Sequence, residues 1–387
     1  MPRQRFPPAL FGYTKSVTFN EILQQYHELE PRAFNGRIVF AKPGVRGYPE
    51  VHPAAGLFVK AEAGGTFLDA TGSAGAAALA VLGTAEAVTV LESSRAALRC
   101  AQATFKDMSA VTLGAGAVWD APVAGADTVL LIPTTDRGNV RVAAELTGAH
   151  AALRDGGTVY AAMHKDQGAK RYEKLLASTF GAVEVIAKNG GWRLARALKR
   201  GGEAQALNLV EFEAAGMELV AEPGVYAAGK LDPGTAVLLE TYDFSGVTGS
   251  SVLDLGCGYG LLALTASLAG AEVTALDDDL AAVRSTYRNA RAYGLDLRLL
   301  HSDVNSELKE DEHFDIVLMN PPFHVGKGVR LELPHAFIAA AYKHLQPGGE
   351  MVLVANQALR YENLLARFAY WETLSAARGF KVLRALR

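Results

Sequence analysis

Apolar runs of strand length alternate with helix-like segments along the second half of this chain. The run SVLDL at 251–255 leads through a glycine loop into the apolar segment LLALTASLAG at 261–270. Four further runs end in polar residues or an aromatic: AEVTALDDD at 271–279, LRLLHSD at 297–303, FDIVLMNPPF at 314–323 and EMVLVAN at 350–356. Strands that alternate with helices at this spacing predict a parallel α/β sheet.

The first half of the chain repeats the same order of patterns. These are TFLDATGSAG at 66–75, AVTVLESS at 87–94, DTVLLIPTTDRG at 127–138 and LRDGGTVYAAMHKDQGAKRYEKLL at 153–176, the last matching LQPGGEMVLVANQALRYENLL at 345–365. A repeat of this length indicates a duplicated domain rather than a solenoid unit. We predict two tandem Rossmann-like α/β domains, residues 1–205 and 206–387, because KRGGEAQ at 199–205 interrupts the pattern.

Composition agrees with more than one globular domain. Of the 387 residues, 50% are hydrophobic and 20% are charged, which is typical of a soluble protein. No apolar run approaches membrane length and no signal-peptide core follows the N-terminus, so we expect a cytoplasmic protein without a membrane partner. The two cysteines, Cys100 and Cys257, lack metal-ligand spacing, so we expect neither a disulfide framework nor a metal.

Charge is distributed unevenly between the two halves. Residues 1–201 carry 23 Lys and Arg against 17 Asp and Glu, whereas residues 202–387 carry 15 against 24. A basic half can hold an anionic partner, although a plain difference in surface charge explains the counts equally well.

Candidate chemistry begins at the glycine loop after the first strand of the second half. Gly256, Gly258 and Gly260 let the backbone pass close to a ligand at the sheet edge where doubly wound folds bind ligands. Asp277 stands at the tip of the next strand, where a carboxylate can accept both hydroxyls of a ribose. The third glycine comes one residue too early for the dinucleotide fingerprint.

Two further acids narrow the choice of ligand. Asp254, at the entrance of the loop, would repel a pyrophosphate but can pair with an ammonium group. S-adenosylmethionine has a ribose, an adenine and an ammonium group and no phosphate, so it fits these residues. Asp303, at the end of the third strand, is predicted either to accept the adenine amino group or to be an ordinary helix N-cap.

The fourth strand ends in Asn320-Pro321-Pro322-Phe323, on the same sheet edge. Proline fixes its own φ and forces the preceding residue to be extended, so the Asn320 side chain and the Pro321 carbonyl are held as two acceptors. Such a pair can bind both hydrogens of a planar NH2 group and align its nitrogen with an incoming methyl group. Phe323 can stack on the ring that carries the amine.

These motifs resemble the class I S-adenosylmethionine-dependent methyltransferases that modify planar NH2 groups. The final Phe323, the G-G-x-x-x-x-V-x-N strand ending at Asn356 and the duplicated layout are similar to the bacterial small-subunit (16S) rRNA guanine-N2 methyltransferases. The resemblance implies a degenerate N-terminal domain that docks RNA. It also implies a catalytic C-terminal domain that methylates the N2 amine of a guanine in 16S rRNA, with Asn320, Pro321, Pro322 and Phe323 as catalytic residues.

The same resemblance implies the contacts of the cofactor S-adenosylmethionine. Those around the strand tips are Asp254, Gly256, Cys257, Gly258, Gly260, Asp277, Asp278, Ser302, Asp303 and Val304. The segment 224–235 is similar to a lid over the methionine end, which adds Lys230, Asp232 and Thr235 as cofactor or substrate contacts.

The first half departs from the motifs where chemistry would occur. Gly72-Ser-Ala-Gly75 replaces the glycine loop and Pro133-Thr-Thr-Asp136 the tetrapeptide, so we expect no methyl transfer there. The basic residues of this half that are candidate RNA phosphate contacts, or else ordinary surface charges, are Arg37, Lys42, Arg46, Lys165, Lys170 and Arg171. Lys327 and Arg330, after the tetrapeptide, either position the target nucleotide or belong to a plain surface loop.

Several other functions stay open on the sequence alone. The tetrapeptide also suits methylation of a guanine of large-subunit rRNA, of adenine N6 in DNA or of glutamine N5. DNA enzymes usually carry a separate target-recognition region, whereas the extra half of this chain copies the catalytic fold. A non-catalytic RNA-binding assembly factor is disfavoured by the intact Asp254, Asp277 and Asn320. A dinucleotide oxidoreductase is disfavoured by the glycine spacing.

Overall fold

The structure, a computed structural model, describes residues 17–62, 64–203, 205–322, 324–325, 328–329 and 331–387. Two seven-stranded sheets, one in each half, have the same strand order. In each sheet five neighbouring strands are parallel, and the two remaining strands pair in antiparallel fashion at one edge. The predicted pair of tandem α/β domains is confirmed, and the antiparallel edge hairpins are an addition to the predicted strands.

The elements of the first half follow one another in the predicted alternation. They are α1 (Phe19–His27), β1 (Glu30–Phe34), β2 (Arg37–Ala41), β3 (Thr66–Asp69), α2 (Ala76–Val81), β4 (Ala87–Glu92), α3 (Arg95–Thr104), β5 (Val111–Ala115), β6 (Ala126–Leu131), α4 (Asn139–Ala152), β7 (Leu153–His164), α5 (Ala169–Phe180), β8 (Val183–Asn189) and β9 (Trp192–Leu198). Strands β1 and β2 form a separate antiparallel hairpin ahead of the sheet.

The second half repeats this order. Its elements are β10 (Val210–Ala214), β11 (Met217–Ala221), α6 (Pro233–Thr241), β12 (Ser251–Leu255), α7 (Leu261–Leu268), β13 (Glu272–Asp277), α8 (Leu280–Ala292), β14 (Arg298–His301), β15 (Phe314–Met319), β16 (His324–Val325), β17 (Gly328–Val329), α9 (Glu332–His344), β18 (Leu345–Asn356), α10 (Glu362–Leu365), β19 (Tyr370–Ala377) and β20 (Phe380–Leu386). Within the described part of the chain, no helix combines the length and apolarity that crossing a membrane requires.

Strand register relates the two halves residue by residue. Asp254 of β12 lies opposite Leu318 of β15, and Asp69 of β3 lies opposite Leu130 of β6. Because the strand orders are identical, these pairs identify the counterparts in the first and second halves: Asp69 and Asp254, Glu92 and Asp277, Ile132 and Asn320, Pro133 and Pro321. The first-half tetrapeptide therefore begins at Ile132, one residue earlier than predicted, and retains its first proline.

Helix α1 packs into the core of the opposite half. Its apolar residues Phe19, Ile22, Leu23 and Tyr26 recur on one face and are buried in the second-half core against α9 and the sheet. A capping box between Thr18 and Glu21 fixes the start of the helix. The predicted first domain, residues 1–205, includes α1. In the structure the apolar face of this helix packs into the core of the second half instead.

The two halves meet at the carboxyl tips of their second strands. Ser94 and Asp279, which are counterparts, form an antiparallel bridge. On one side of it the Arg95 N–H donates to the Asp278 carbonyl at 2.8 Å, and on the other the Leu280 N–H donates to the Ser93 carbonyl at 2.9 Å. This reciprocal pattern is that of a two-fold contact, so the ligand-binding edges of both sheets face each other.

Candidate functional site

A cavity of about 740 Å³ lies between the two facing sheet edges. The second half contributes Gly256, Gly258, Asp277 and Asn320 to its wall, and the first half contributes residues at the matching strand tips. Parallel strands direct their carboxyl ends to one edge, so residues distant in sequence converge there. The structure thus brings together the predicted glycine loop, Asp277 and the first three residues of the tetrapeptide.

Asn320 is held by its amide nitrogen. Its Nδ2 donates to Asp232 Oδ2 at 2.8 Å and to Thr235 Oγ1 at 3.0 Å. Because both acceptors require the NH2 group, the amide orientation is fixed and Oδ1 is directed away from them, and no described residue is seen to donate a hydrogen bond to Oδ1. Asp232 is itself fixed, since it caps α6 by accepting from the Thr235 N–H at 2.8 Å and also accepts from the Tyr226 hydroxyl at 2.8 Å.

This anchoring corrects the role predicted for Asp232 and Thr235. Both are buried and their described hydrogen bonds go to Asn320, to Tyr226 and to each other, so they position the amide rather than contact a ligand first. Sequence reasoning missed this role, although Asp232-Pro233 is a recognisable helix start. The first-half residues at the matching positions are His52 for Asp232, Ala55 for Thr235 and Ile132 for Asn320.

The remaining tetrapeptide residues are only partly described. Pro321 and Pro322 line the cavity beside Asn320. Phe323, Lys327 and Arg330 lie outside the described residues, so their predicted roles in stacking and nucleotide positioning stay predictions.

Asp277 and the glycine loop form one unit. Asp277 Oδ2 accepts from the Gly258 N–H at 3.0 Å, and Oδ1 accepts from the Asp279 N–H at 2.9 Å, yet the side chain still borders the cavity. Burial, together with the neighbouring Asp279, raises the pKa of Asp277 to about 6. Ser302 and Val304 line the adjoining wall at the tip of the third strand.

Asp254, Cys257 and Gly260 support the loop from behind. The Asp254 carboxylate is buried and accepts from the Ala263 N–H of α7 at 3.0 Å, so the predicted ammonium contact is corrected to a structural bond. Burial raises the pKa of Asp254 to about 7. Cys257 is also buried, and Thr286 packs where a Cβ on Gly260 would be, 2.7 Å from the Thr286 methyl. The first half makes the same bond, from the Ala78 N–H to Asp69 at 2.8 Å, although it lacks a counterpart of Asn320.

Asp303 is turned to the junction between the halves and away from the cavity. Its carboxylate accepts from the Tyr26 hydroxyl at 3.0 Å and lies 2.9 Å from Lys42 Nζ, with Arg99 and His27 also in contact. Burial alone would raise the pKa of Asp303, but Lys42 and His27 reverse this and hold it well below its usual range. Asp303 is therefore neither the adenine acceptor nor an N-cap, and the fully buried Lys42 is not an RNA phosphate contact.

Asp278 and Arg46 also differ from their predicted roles. Asp278 lines the cavity, but its Oδ1 accepts from the Ala96 N–H at 2.8 Å and so caps α3 of the other half. Arg46 points into the cavity, where Nη1 donates to the carbonyls of Thr71 at 3.0 Å and Ile132 at 3.1 Å. Both are committed to the protein itself rather than to cofactor or RNA phosphate.

The other predicted basic contacts lie on the surface. Arg37, Lys165, Lys170 and Arg171 are exposed, the last three just beyond the carboxyl end of β7 on the cavity side of the sheet. Lys230 is exposed as well and does not line the cavity. Contact of these residues with RNA or cofactor stays a prediction.

Comparison with known proteins gives matches over both halves. The family model described as methyltransferase small domain matches residues 36–196 and again residues 216–384. The chain is 38% identical over 179 residues to ribosomal RNA small subunit methyltransferase C of Chromohalobacter salexigens, covering 46% of this chain and 53% of that one. It is 36% identical over 174 residues to the protein of that name from Pseudomonas entomophila, covering 44% and 51%. The chain thus spans about half the length of the curated relatives it matches.

One solved structure is similar over nearly the whole chain. It is a T. thermophilus 16S rRNA N2 methyltransferase in complex with AdoMet and guanosine. The two chains are 37% identical with a TM-score of 0.85, and the match covers 94% of this chain and 99% of that one.

Proposed function

The chain belongs to the methyltransferase small domain family, which it matches once in each half, and from this premise we propose that it methylates the N2 amine of a guanine in 16S rRNA. The methyl donor is S-adenosylmethionine. The observation that carries the proposal is the anchored amide of Asn320, which borders the same cavity as the glycine loop and Asp277. The T. thermophilus methyltransferase, similar over nearly the full length, supports the choice of substrate.

The residues present fit S-adenosylmethionine. Gly258 has φ +59° and no atom within 4 Å of where a Cβ would be, so backbone borders open space there. Asp277 lies beside it as acceptor for the ribose hydroxyls, and Ser302 and Val304 supply the wall for the adenine. When bound, S-adenosylmethionine supplies an electrophilic methyl group.

Catalysis by this chain consists of orienting the amine. Asn320 Oδ1 accepts one hydrogen of the guanine NH2, and the Pro321 carbonyl accepts the other, so the nitrogen lone pair is directed at the methyl group. The hydrogen bonds to Asp232 and Thr235 prevent the amide from rotating. A rotated amide would place its own NH2 group against the NH2 group of the substrate. The rate gain therefore comes from acceptors already fixed in place before the substrate binds.

The exposed cations near the cavity edge are proposed to hold the RNA backbone. Lys165, Lys170 and Arg171 lie on the first half, at the sheet edge that faces the site. Phosphate contacts of this kind weaken steeply with salt, so RNA affinity should fall as ionic strength rises. The first half then docks RNA while the second half carries out the transfer.

The test is methyl transfer from tritiated S-adenosylmethionine to naked rRNA, each ribosomal subunit, duplex DNA and a release-factor protein. Nucleoside digestion should show label as N2-methylguanosine in small-subunit rRNA. Asn320→Ala should lower the rate by about 100-fold or more while S-adenosylhomocysteine still binds. Asn363→Ala, an exposed asparagine of α10, is the matched control and should be fully active.

Each other outcome contradicts a different part of the proposal. Label in large-subunit rRNA, in N6-methyladenine or in protein would contradict the proposed substrate but would support methyl transfer to a planar NH2 group. Cofactor binding without transfer to any substrate would instead favour a non-catalytic RNA-binding protein.

A further inference from the structure

The first half has no counterpart of the Asn320 amide, but it has an acidic residue at the end of β4, where the second half has Asp277. Glu92 is the counterpart of Asp277, is 1% exposed and borders the same cavity. Its Oε1 has no hydrogen-bond partner among the described residues. A buried carboxyl oxygen without a hydrogen-bond partner is destabilising, so the position of Oε1 at a cavity wall indicates a ligand with hydroxyl or amino donors.

Arg46 limits what that ligand can be. Its guanidinium donates to the carbonyls of Thr71 and Ile132, which by register are the counterparts of Gly256 and Asn320. Two converging carbonyls are an acceptor pair for a cation, and in the first half the chain supplies that cation itself. A ligand with its own ammonium-bearing tail, such as S-adenosylmethionine, is therefore excluded from this position.

Apolar side chains border the cavity next to Glu92, although charged residues such as Asp136, Arg137 and Glu145 line other parts of the first-half wall. Leu91, Val118 and Ala97 border the cavity on the Glu92 side, and Leu91 and Val118 are counterparts of Leu276 and Val304 in the second half. Apolar contact next to the carboxyl group of Glu92 suits a nucleobase joined to a diol.

We propose that the first half binds a ribonucleoside, with the ribose hydroxyls donating to Glu92 and the base lying between Leu91 and Val118. The site holds this ligand without modifying it, because Ile132 stands where a planar amine would need Asn320. The ribonucleoside is either free or one residue of an RNA strand, since both present the same diol and base. The site lies across the Ser94–Asp279 bridge from the catalytic site and does not depend on which substrate the catalytic half methylates.

The experiment is equilibrium dialysis of the full-length protein against tritiated adenosine, with S-adenosylhomocysteine at saturation to fill the second half. We expect one adenosine per chain. 2′,3′-Dideoxyadenosine, which lacks the diol, should bind at least tenfold more weakly, and this comparison needs no change to the protein. Absence of adenosine binding, or equal binding of the dideoxy compound, would overturn the proposal.

Two variants locate the bound adenosine. Glu92→Gln should weaken adenosine binding about tenfold, and retained S-adenosylhomocysteine binding shows that this variant is folded. Glu86→Gln, an exposed acid of the same half, and Asn320→Ala should leave adenosine binding unchanged. Binding that is lost in Asn320→Ala but kept in Glu92→Gln would place adenosine in the catalytic half and refute the proposed site.

A competition arm separates the two sources of the ligand. A single-stranded oligoribonucleotide that displaces adenosine from the wild-type protein, and that binds more weakly to Glu92→Gln than to the wild type, identifies a strand residue as the ligand. Failure to displace adenosine identifies a free ribonucleoside. Either result supports the shared chemistry of the site.

Discussion

Asn320 shows how one side chain acquires a function from residues far away in the sequence. Its nitrogen is bound by residues 88 and 85 positions earlier, which leaves its oxygen for the ligand contact that we propose. The sequence predicts that Asn320 stands at a strand tip, because that position is encoded locally by the apolar run and the two prolines. It does not predict which end of the amide is free, because that depends on the buried Asp232 and Thr235.

Thr235 provides a test of this anchoring. Thr235→Val removes one of two acceptors for Asn320 Nδ2, and the loss of about 1 kcal/mol should lower kcat about fivefold. The KM for S-adenosylmethionine should change little, since the amide does not contact the cofactor's ribose. Steady-state kinetics on rRNA measures both constants. Thr235→Ser keeps the hydroxyl and should behave as the wild type; an equal loss in the serine variant would rule out the hydroxyl as the cause.

We predict that cofactor binding depends on pH through the carboxyl group of Asp277. Its pKa is raised to about 6, and ribose hydroxyls bind the ionised carboxylate, so binding favours loss of the proton. Affinity for S-adenosylhomocysteine should be constant above about pH 6 and weaken by up to about tenfold per pH unit below it. Calorimetry between pH 5 and pH 8 gives the profile. Asp277→Asn should bind more weakly with no slope in this range; a slope that persists would assign the titration to another group.

At the scale of elements, local patterns predict strands and helices well and their partners poorly. The run FDIVLM of β15 is apolar because a central parallel strand is covered on both faces, and this can be read directly from the sequence. The periodicity of α1 likewise predicts an amphipathic helix. Nothing local says that α1 crosses to the second half, or that Lys42 pairs with Asp303 at a separation of 261 residues.

Helix α1 should contribute to the stability of the second half. Ile22 is fully buried in the second-half core, so Ile22→Ala should lower the free energy of unfolding by about 2–5 kcal/mol. Ile38→Ala changes an isoleucine that is 56% exposed and should cost less than about 0.5 kcal/mol. Urea denaturation measures both. Equal effects of the two substitutions would contradict the docking of α1.

At the scale of the whole molecule, the two halves are joined by charge as well as by apolar packing. The Asp303 carboxylate lies among Lys42, Arg99 and His27, all contributed from residues before the second half. A salt bridge also joins Arg284 of α8 to Asp120 of the first half at 2.9 Å. Because Asp303 and Lys42 are buried, removal of Asp303 leaves Lys42 as an uncompensated buried charge.

Asp303→Asn should therefore destabilise the protein in a pH-dependent way. The folded-state pKa of Asp303 is lowered, so its contribution is present above the unfolded pKa of about 4 and is lost as pH falls further. At pH 7 the substitution should cost about 3–5 kcal/mol, because Lys42 stays buried. Melting temperatures of variant and wild type should converge progressively below about pH 4, whereas Asp311→Asn, an exposed acid, should follow the wild type throughout. A constant difference at all pH values would contradict the ionic origin of the effect.

The reciprocal bridge between Ser94 and Asp279 is the kind of contact that two identical subunits make about a symmetry axis. Here both sides of the contact belong to one polypeptide, so the pairing of the two halves does not depend on protein concentration. Two separate copies of a single gene product must change together, but two halves of one chain can diverge position by position. One half can therefore have Asn320 where the other has Ile132, while the contact between them keeps its two-fold form.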